Sequence, residues 1–211
     1  MPTPKQGYYV SDGARVPGVT TVLSKFKEAD GLIHWAWDLG MQGKDYRDVR
    51  DKAANTGTEA HKLVEDWIRH KKEPPADTTE KAKNAFAQFL EWTAHTRLEP
   101  TDTEVRMVSE KHRFGGTLDA MLIGGKLSLG DWKTSNGIYP EYLLQLGGYA
   151  ILWEENFPHR PIEGGFHLLR FSKDYPDFAH YHWKELEEAK EGFLIMRRLY
   201  DIKATLKKRA A

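Results

Sequence analysis

No cysteine occurs among the 211 residues. That excludes a disulfide framework, a thiolate zinc site, an iron–sulfur cluster and a cysteine nucleophile. No apolar run approaches the roughly 18 residues that a bilayer-crossing helix needs. The opening segment MPTPKQGYYV has no apolar stretch of the kind that marks a secretory leader, so an intracellular, cytoplasmic setting is expected. Charge of one sign is lacking too, because 31 Lys+Arg balance 31 Asp+Glu. Nucleic-acid proteins usually carry a basic surplus, and the balance taken alone argues against one. No internal repeat, low-complexity tract or long linker divides the chain.

What is present suffices for a core. A hydrophobic fraction of 40% with 12% aromatics is too rich for a disordered chain. A mass of 24.3 kDa fits one domain over residues 1–211 rather than two. Residues 7–18 read as extended and closed by Pro17-Gly18, and Thr20 is expected to cap a short helical turn, TTVLSKF. A helical N-terminal part follows over about 19–97, interrupted near Gly40 and Gly43. Its second helix is expected to start at Asn55 or Thr56 and stop before Pro74-Pro75; its third covers 79–97. The period then changes from helical to alternating, with strands at 103–109, 115–123, 126–133, 162–171 and 177–183. A helix over 140–154, begun by Pro140, and a charged C-terminal helix over 184–208 complete an α/β (α+β mixed) plan with a mixed β-sheet core over about 101–183.

The segment GTLDAMLIGGKLSLGDWKTS carries the chemistry. Asp131 and Lys133 lie two apart on a strand and leave the same face, beyond Leu127 and Leu129; Ser128, Gly130 and Trp132 take the other. A carboxylate and an ammonium extending an apolar face are unfavourable unless paired or holding a metal. Asp119 on the preceding strand shares a face with Met121 and Ile123. Convergence of the two aspartates requires Asp119 opposite Asp131, hence an odd-length loop such as Gly124-Gly125-Lys126 or one β-bulge. That odd register is the expected one, because it also stacks Met121, Ile123, Leu127 and Leu129 on one side; a strict two-residue Gly-Gly turn would instead put the two aspartates on opposite faces and refute the site. Two adjoining carboxylates repel unless a cation intervenes, and hard oxygen ligands suit Mg²⁺ or Mn²⁺ better than zinc. Two further acid-x-Lys triplets, Glu188-Ala-Lys190 and Asp201-Ile-Lys203, fall in a helical pattern where residues two apart do not face each other. The competing reading of Asp131 and Lys133 is an exposed ion pair at a strand end.

With these residues in place the chain resembles the PD-(D/E)xK nuclease superfamily, in its RecB-like exonuclease branch. It is most similar to the group of phage exonucleases and the mitochondrial genome-maintenance exonuclease. The matching pieces are VPGVTTVLS at 16–24, GTEAH at 57–61, Glu104 in TEVRMVS, GGTLDAM at 115–121, LSLGDWKTS at 127–135, and Gln145 with Tyr149 in QLGGY. The resemblance implies a restriction-endonuclease-like sheet flanked by helices. Asp119 and Asp131 would be metal ligands, Lys133 the catalytic lysine, His61 a further ligand, and the Trp132 backbone carbonyl would complete the set. It also implies that Gln145 and Tyr149 support the site and the nucleic-acid path. Relatives with an iron–sulfur cluster carry four cysteines, so this chain resembles the cluster-free branch.

Other candidates keep two readings each. His61 and Glu65 share a helix face, where Glu65 could orient the imidazole or pair with Arg69. Glu104 opens a strand leading toward the site, and an exposed strand glutamate is its alternative. Tyr149 could equally be core filling, and the helix around it tolerates Gly147-Gly148 because a backbone or a DNA strand passes close. Trp35, Trp37 and Tyr46 beside Lys44, Arg47, Arg50 and Lys52 suit stacking and phosphate contact along a single strand, or else form a core with a solvated face. Lys207, Lys208 and Arg209 read as a solvated tail or a phosphate contact. The function expected is a divalent-metal-dependent DNA exonuclease acting on DNA ends or single strands. The alternatives are a non-catalytic nucleic-acid-binding accessory protein of the same fold, and a hydrolase of small phosphoesters.

Overall fold

A computed structural model of the chain describes residues 7–26, 30–135, 137–171 and 178–210. A two-stranded hairpin, β1 (Tyr8–Tyr9) and β2 (Arg15–Val16), leads into α1 (Val19–Leu23). Gly18, not Thr20, is the N-cap of α1, and no side chain caps it. Helix α2 (Asp30–Met41) ends in a turn through Gly43, and α3 (Tyr46–His70) follows. Helix α3 begins well before the expected Asn55, because Asp45 caps it by accepting from the Arg47 N–H. Its first turns carry a thin apolar stripe, Tyr46, Val49 and Ala53, among charged residues, and the helix runs on unbroken past Asn55 and Thr56. Helix α4 (Glu80–Thr96) starts where expected, with the Thr79 hydroxyl accepting from the Ala82 N–H.

The sheet consists of β3 (Leu98–Ser109), β4 (Phe114–Ile123), β5 (Lys126–Thr134), β6 (Gly165–Phe171) and β7 (Phe178–Trp183), in that spatial order. All neighbours are antiparallel except β5 and β6, which are joined by the crossover helix α5 (Pro140–Asn156). Helix α6 (Glu187–Arg209) closes the described chain. The expected α/β plan with a mixed sheet and an N-terminal helical region is the fold observed.

Two apolar clusters sandwich the sheet. On one side α1, α5 and α6 pack on Leu118, Leu129 and Leu168. On the other, α3 and α4 pack on Met121, Trp132, Leu169 and Phe171. Strand β6 is buried along its whole length, as a strand covered on both faces must be. Gly147 lets α5 pack closely on α6: a Cβ there would lie 2.5 Å from the Ala189 carbonyl carbon. A close approach between helices, rather than to the sheet or to DNA, therefore accounts for that glycine.

The β4–β5 register differs from the expected one. Gly124 and Gly125 both adopt positive φ, 58° and 79°, and form a tight two-residue turn. Ile123 then pairs with Lys126, Met121 with Ser128, and Asp119 with Gly130 rather than with Asp131. The hairpin favours the even register because two glycines reach left-handed φ without strain, whereas Lys126 in a three-residue loop would leave the ladder. Position 119 thus shares the face of Met121, Gly130 and Trp132, on the α3–α4 side, while Asp131 continues the opposite face, so the expected convergence of the two aspartates on one face is overturned.

Candidate active site

Lys133 is the hub of a side-chain chain on the α5 side of the sheet. Its Nζ lies 2.5 Å from Asp131 Oδ2 and donates to Gln145 Oε1 at 3.0 Å. Gln145 Nε2 in turn donates to the Tyr149 hydroxyl at 3.0 Å. The ammonium also stands over the Tyr142 ring, 5.0 Å from its centroid. Alternation on β5 produces this arrangement. Trp132 turns to the opposite side, meeting Phe89 edge-on at 5.9 Å, while Asp131 and Lys133 continue the line of Leu129.

Burial sharpens the electrostatics. The Asp131 and Lys133 side chains are only 15% and 18% exposed. Asp131 Oδ2 is buried and accepts no well-formed hydrogen bond, despite the close ammonium. Oδ2 is thus engaged by the ammonium alone, and a carboxylate, with about four lone-pair sites, can still accept a hard cation such as Mg²⁺ or Mn²⁺ beside that pair. Burial pushes the Tyr142 phenol up, against the opposing effect of its hydrogen bond with Ser135, so the ring beside Lys133 stays neutral.

The side chains of His61, Glu104 and Asp119 lie outside the described residues, although their backbones belong to α3, β3 and β4. Asp119↔Gly130 is the last pair of the β4–β5 ladder, so position 119 stands where these strands stop pairing. On its other side β3 is irregular at the same level. Asp102 pairs with Ala120 and Val105 with Leu118, leaving Thr103 and Glu104 together against Asp119. Such bulges bend a strand and re-aim side chains, and they recur beside active sites. Among the described residues no group of three metal-ligating side chains is assembled.

Beside this chain opens a cleft of about 1080 Å³ that the sequence did not announce. Tyr149 and the Gly116-Thr117 segment of β4 line it, with Arg15, Arg106, Arg113 and Arg197 and a single carboxylate, Asp201. These arginines are scattered along the chain and gathered only by the fold, so no local motif could have found them. Arg106 stacks over Tyr8 at 4.5 Å and donates to the Gly7 carbonyl. Arg197 is buried, donating to the Arg113 carbonyl at 2.8 and 3.0 Å and to Asp201. Arg113 meets Asp12 at 2.9 Å.

The glycines of GGTLDAM shape the cleft wall. A Cβ on Gly115 would strike the Tyr8 ring at 2.3 Å, and one on Gly116 would lie 2.7 Å from Leu152 and 3.0 Å from the Tyr149 ring. The pair lets a tyrosine approach each side of β4, one of them at the end of the Lys133–Gln145 chain.

The aromatic and basic residues of the N-terminal helices form a separate surface. Trp37 is 61% exposed, with Ile33 and Met41 one turn to either side. Trp35 is half-buried and meets Tyr46 edge-on at 6.4 Å. Lys44, Arg47 and Arg50 are exposed and locally engaged, with Gln42, Asp45 and Asp51 respectively. The side chain of Lys52 lies outside the described residues. No helix among the described residues is long and apolar enough to cross a membrane.

No protein-family model matches the chain, and neither does any curated protein sequence. Solved structures with some likeness include a putative exonuclease from Eubacterium rectale, 16% identical over 71% of this chain and 68% of that one, with a TM-score of 0.47. LHK-Exo in complex with dAMP is 13% identical over 92% of this chain and 93% of that one, with a TM-score of 0.40. Both likenesses are too distant to bear on what this chain does, which is argued below from its own residues.

Proposed function

We propose that the chain is a divalent-metal-dependent deoxyribonuclease that hydrolyses phosphodiester bonds at DNA ends or in single strands. The observation carrying this reading is the buried Asp131–Lys133–Gln145–Tyr149 chain, which ends at the wall of the arginine-lined cleft. Asp131, whose Oδ2 is ion-paired with Lys133, and the Trp132 backbone carbonyl are the described candidates to hold a cation, with Asp119 and His61 completing the proposed set. A cation held there would neutralise charge on the scissile phosphate and make a bound water more acidic. Lys133 would stabilise charge growing on a phosphoryl oxygen or orient the attacking water. Gln145 holds that ammonium in place and is itself held by Tyr149. Glu104, in the bulge opposite Asp119, is a candidate to position a water.

The cleft suits a polyanion. Among the described lining residues four arginines stand against one aspartate, a balance that attracts phosphates. Exonuclease action in the RecB-like manner is supported by the order and spacing of the motifs from residue 16 to residue 149.

The reading is tested with end-labelled linear and circular DNA, single- and double-stranded, in Mg²⁺ or Mn²⁺ and in EDTA. Wild-type chain should degrade linear substrate only with metal, while Asp131→Ala and Lys133→Ala should not. Equal activity in the three proteins, or none on any DNA, would overturn it.

A further inference from the structure

Helix α6 carries an apolar seam that no described residue covers. Ile195, Leu199, Ile202 and Leu206 are 60%, 44%, 39% and 56% exposed, although α6 also supplies the fully buried Phe193 to the core. Their spacing of four, three and four residues is the seam of a two-helix coiled coil, distinct from the face that packs on α5. Every residue from Asp201 to Ala210 is exposed, so the end of the helix stands clear of the body. A groove of about 910 Å³ runs along the seam, lined by Ile151 and by α6 residues from Glu187 to Ile202, with Ile195 and Leu199 among them.

Charge identifies the occupant. Glu187 and Glu188 lie in the first turn of α6, with exposed Glu191 one turn on, and Lys207, Lys208 and Arg209 lie in the last turn. A parallel partner would bring like charges together at both ends; an antiparallel copy brings acid against base at both. We infer that two copies of the chain pair through antiparallel α6 helices about a two-fold axis. Leu199 then meets Ile202 of the partner subunit, and Ile195 meets Leu206 of the partner subunit. In the same register Arg209 of the partner subunit passes beside Gly192, between Glu188 and Glu191, and the projecting helix end fills the groove. The contact is isologous and closes at two copies.

Sedimentation and cross-linking test it on the full chain. Wild type should sediment at twice 24.3 kDa, and Leu199→Lys with Ile202→Lys at 24.3 kDa with an unchanged circular dichroism spectrum. Reversing the acidic end alone (Glu188→Lys, Glu191→Lys) should weaken the dimer at least tenfold, and adding Lys208→Glu with Arg209→Glu should restore it. Because the chain has no cysteine, introduced thiols report the register without background. Ile195→Cys combined with Leu206→Cys should give a covalent dimer, since these positions lie about 16 Å apart along one helix and meet only across the axis. Neither single variant should cross-link, because like positions meet only in a parallel pair. A wild type that stays monomeric at 100 µM, whether or not it binds anionic vesicles or DNA through α6, would overturn the proposal. So would a trimer, a dimer indifferent to the seam substitutions, or cross-linking of a single-cysteine variant.

Discussion

Lys133 Nζ approaches Asp131 Oδ2 to 2.5 Å in a setting where neither side chain is more than 18% exposed. Breaking a fully buried pair by removing one partner costs about 3–5 kcal/mol, and the residual exposure here reduces that to about 2 kcal/mol. Lys133→Met should therefore lower the urea midpoint, because Asp131 Oδ2 has no well-formed hydrogen bond to fall back on. Lys133→Met with Asp131→Asn should recover most of the loss, since no uncompensated charge stays buried. Additive losses in the double-mutant cycle would show that the contact is not an energetic pair. Activity should behave differently from stability, falling on the order of 100-fold or more in every variant that lacks the lysine.

Metal binding can be read without turnover. Mn²⁺ should raise the melting temperature of wild type, and Asp131→Ala should abolish the rise. Asp119→Ala is the sharper probe, because Asp119 stands opposite Gly130 and not Asp131. Because the two positions lie on opposite faces, a cation shared by both has to sit beyond the last β4–β5 pair, and Asp119→Ala is then also expected to abolish the rise. A retained shift in Asp119→Ala would remove Asp119 from the ligand set and leave Asp131 as its sole strand carboxylate.

The contrast between β5 and the cleft shows what was legible in the residues. Alternation alone placed Asp131 and Lys133 with Leu129 and against Trp132, and the fold agrees. Tyr149 keeps both of its readings, lying in the core and accepting from Gln145 one helical turn before it. The register of the β4–β5 hairpin was misjudged because the convergence of two acids was weighted above turn chemistry, and Gly124-Gly125 forms the tighter turn. A helical reading after Gly43 agrees with the fold, but the separate start at Asn55 or Thr56 divides what is one helix from the Asp45 cap onward. Arg15, Arg106, Arg113 and Arg197 were beyond any local reading, being brought together only by the hairpin, the sheet and α6.

Those arginines predict a salt dependence. Each phosphate contact along a single strand contributes about 0.7 to the slope of log affinity against log salt. Arg15 is exposed at the cleft, on the β1–β2 hairpin and apart from the Lys133 chain. Arg15→Ala should reduce the slope for single-stranded DNA by about that amount, measured by anisotropy in EDTA, and leave kcat unchanged. An unaltered slope would place the DNA elsewhere, with the exposed Trp37 surface of α2 the next to test.

A last prediction concerns acid stability and rests on three histidines away from the site. His167 is buried on β6, with Nε2 3.1 Å from the Gly164 carbonyl and Nδ1 2.8 Å from His180 Nε2. A carbonyl only accepts, so Nε2 of His167 carries the proton; its Nδ1 then accepts from His180 in the neutral pair. His182 stacks on His167 at 4.4 Å and also bonds to the Gly164 carbonyl, while Trp92 closes over His180. Burial pushes the His167 imidazole down to about 4 from its ordinary 6.5, and pushes His180 down as well. A depressed base means that the unfolded chain binds the proton first as pH falls. The stabilisation is therefore fully present above pH 6.5 and is lost progressively as pH falls toward about 4. The loss amounts to roughly 3 kcal/mol for a shift of this size. Urea unfolding at intervals from pH 7 to pH 4 should show this slope in wild type and a flatter one in His167→Gln. An acid limb identical in both proteins would mean that carboxylates elsewhere, not this histidine stack, govern stability below neutrality.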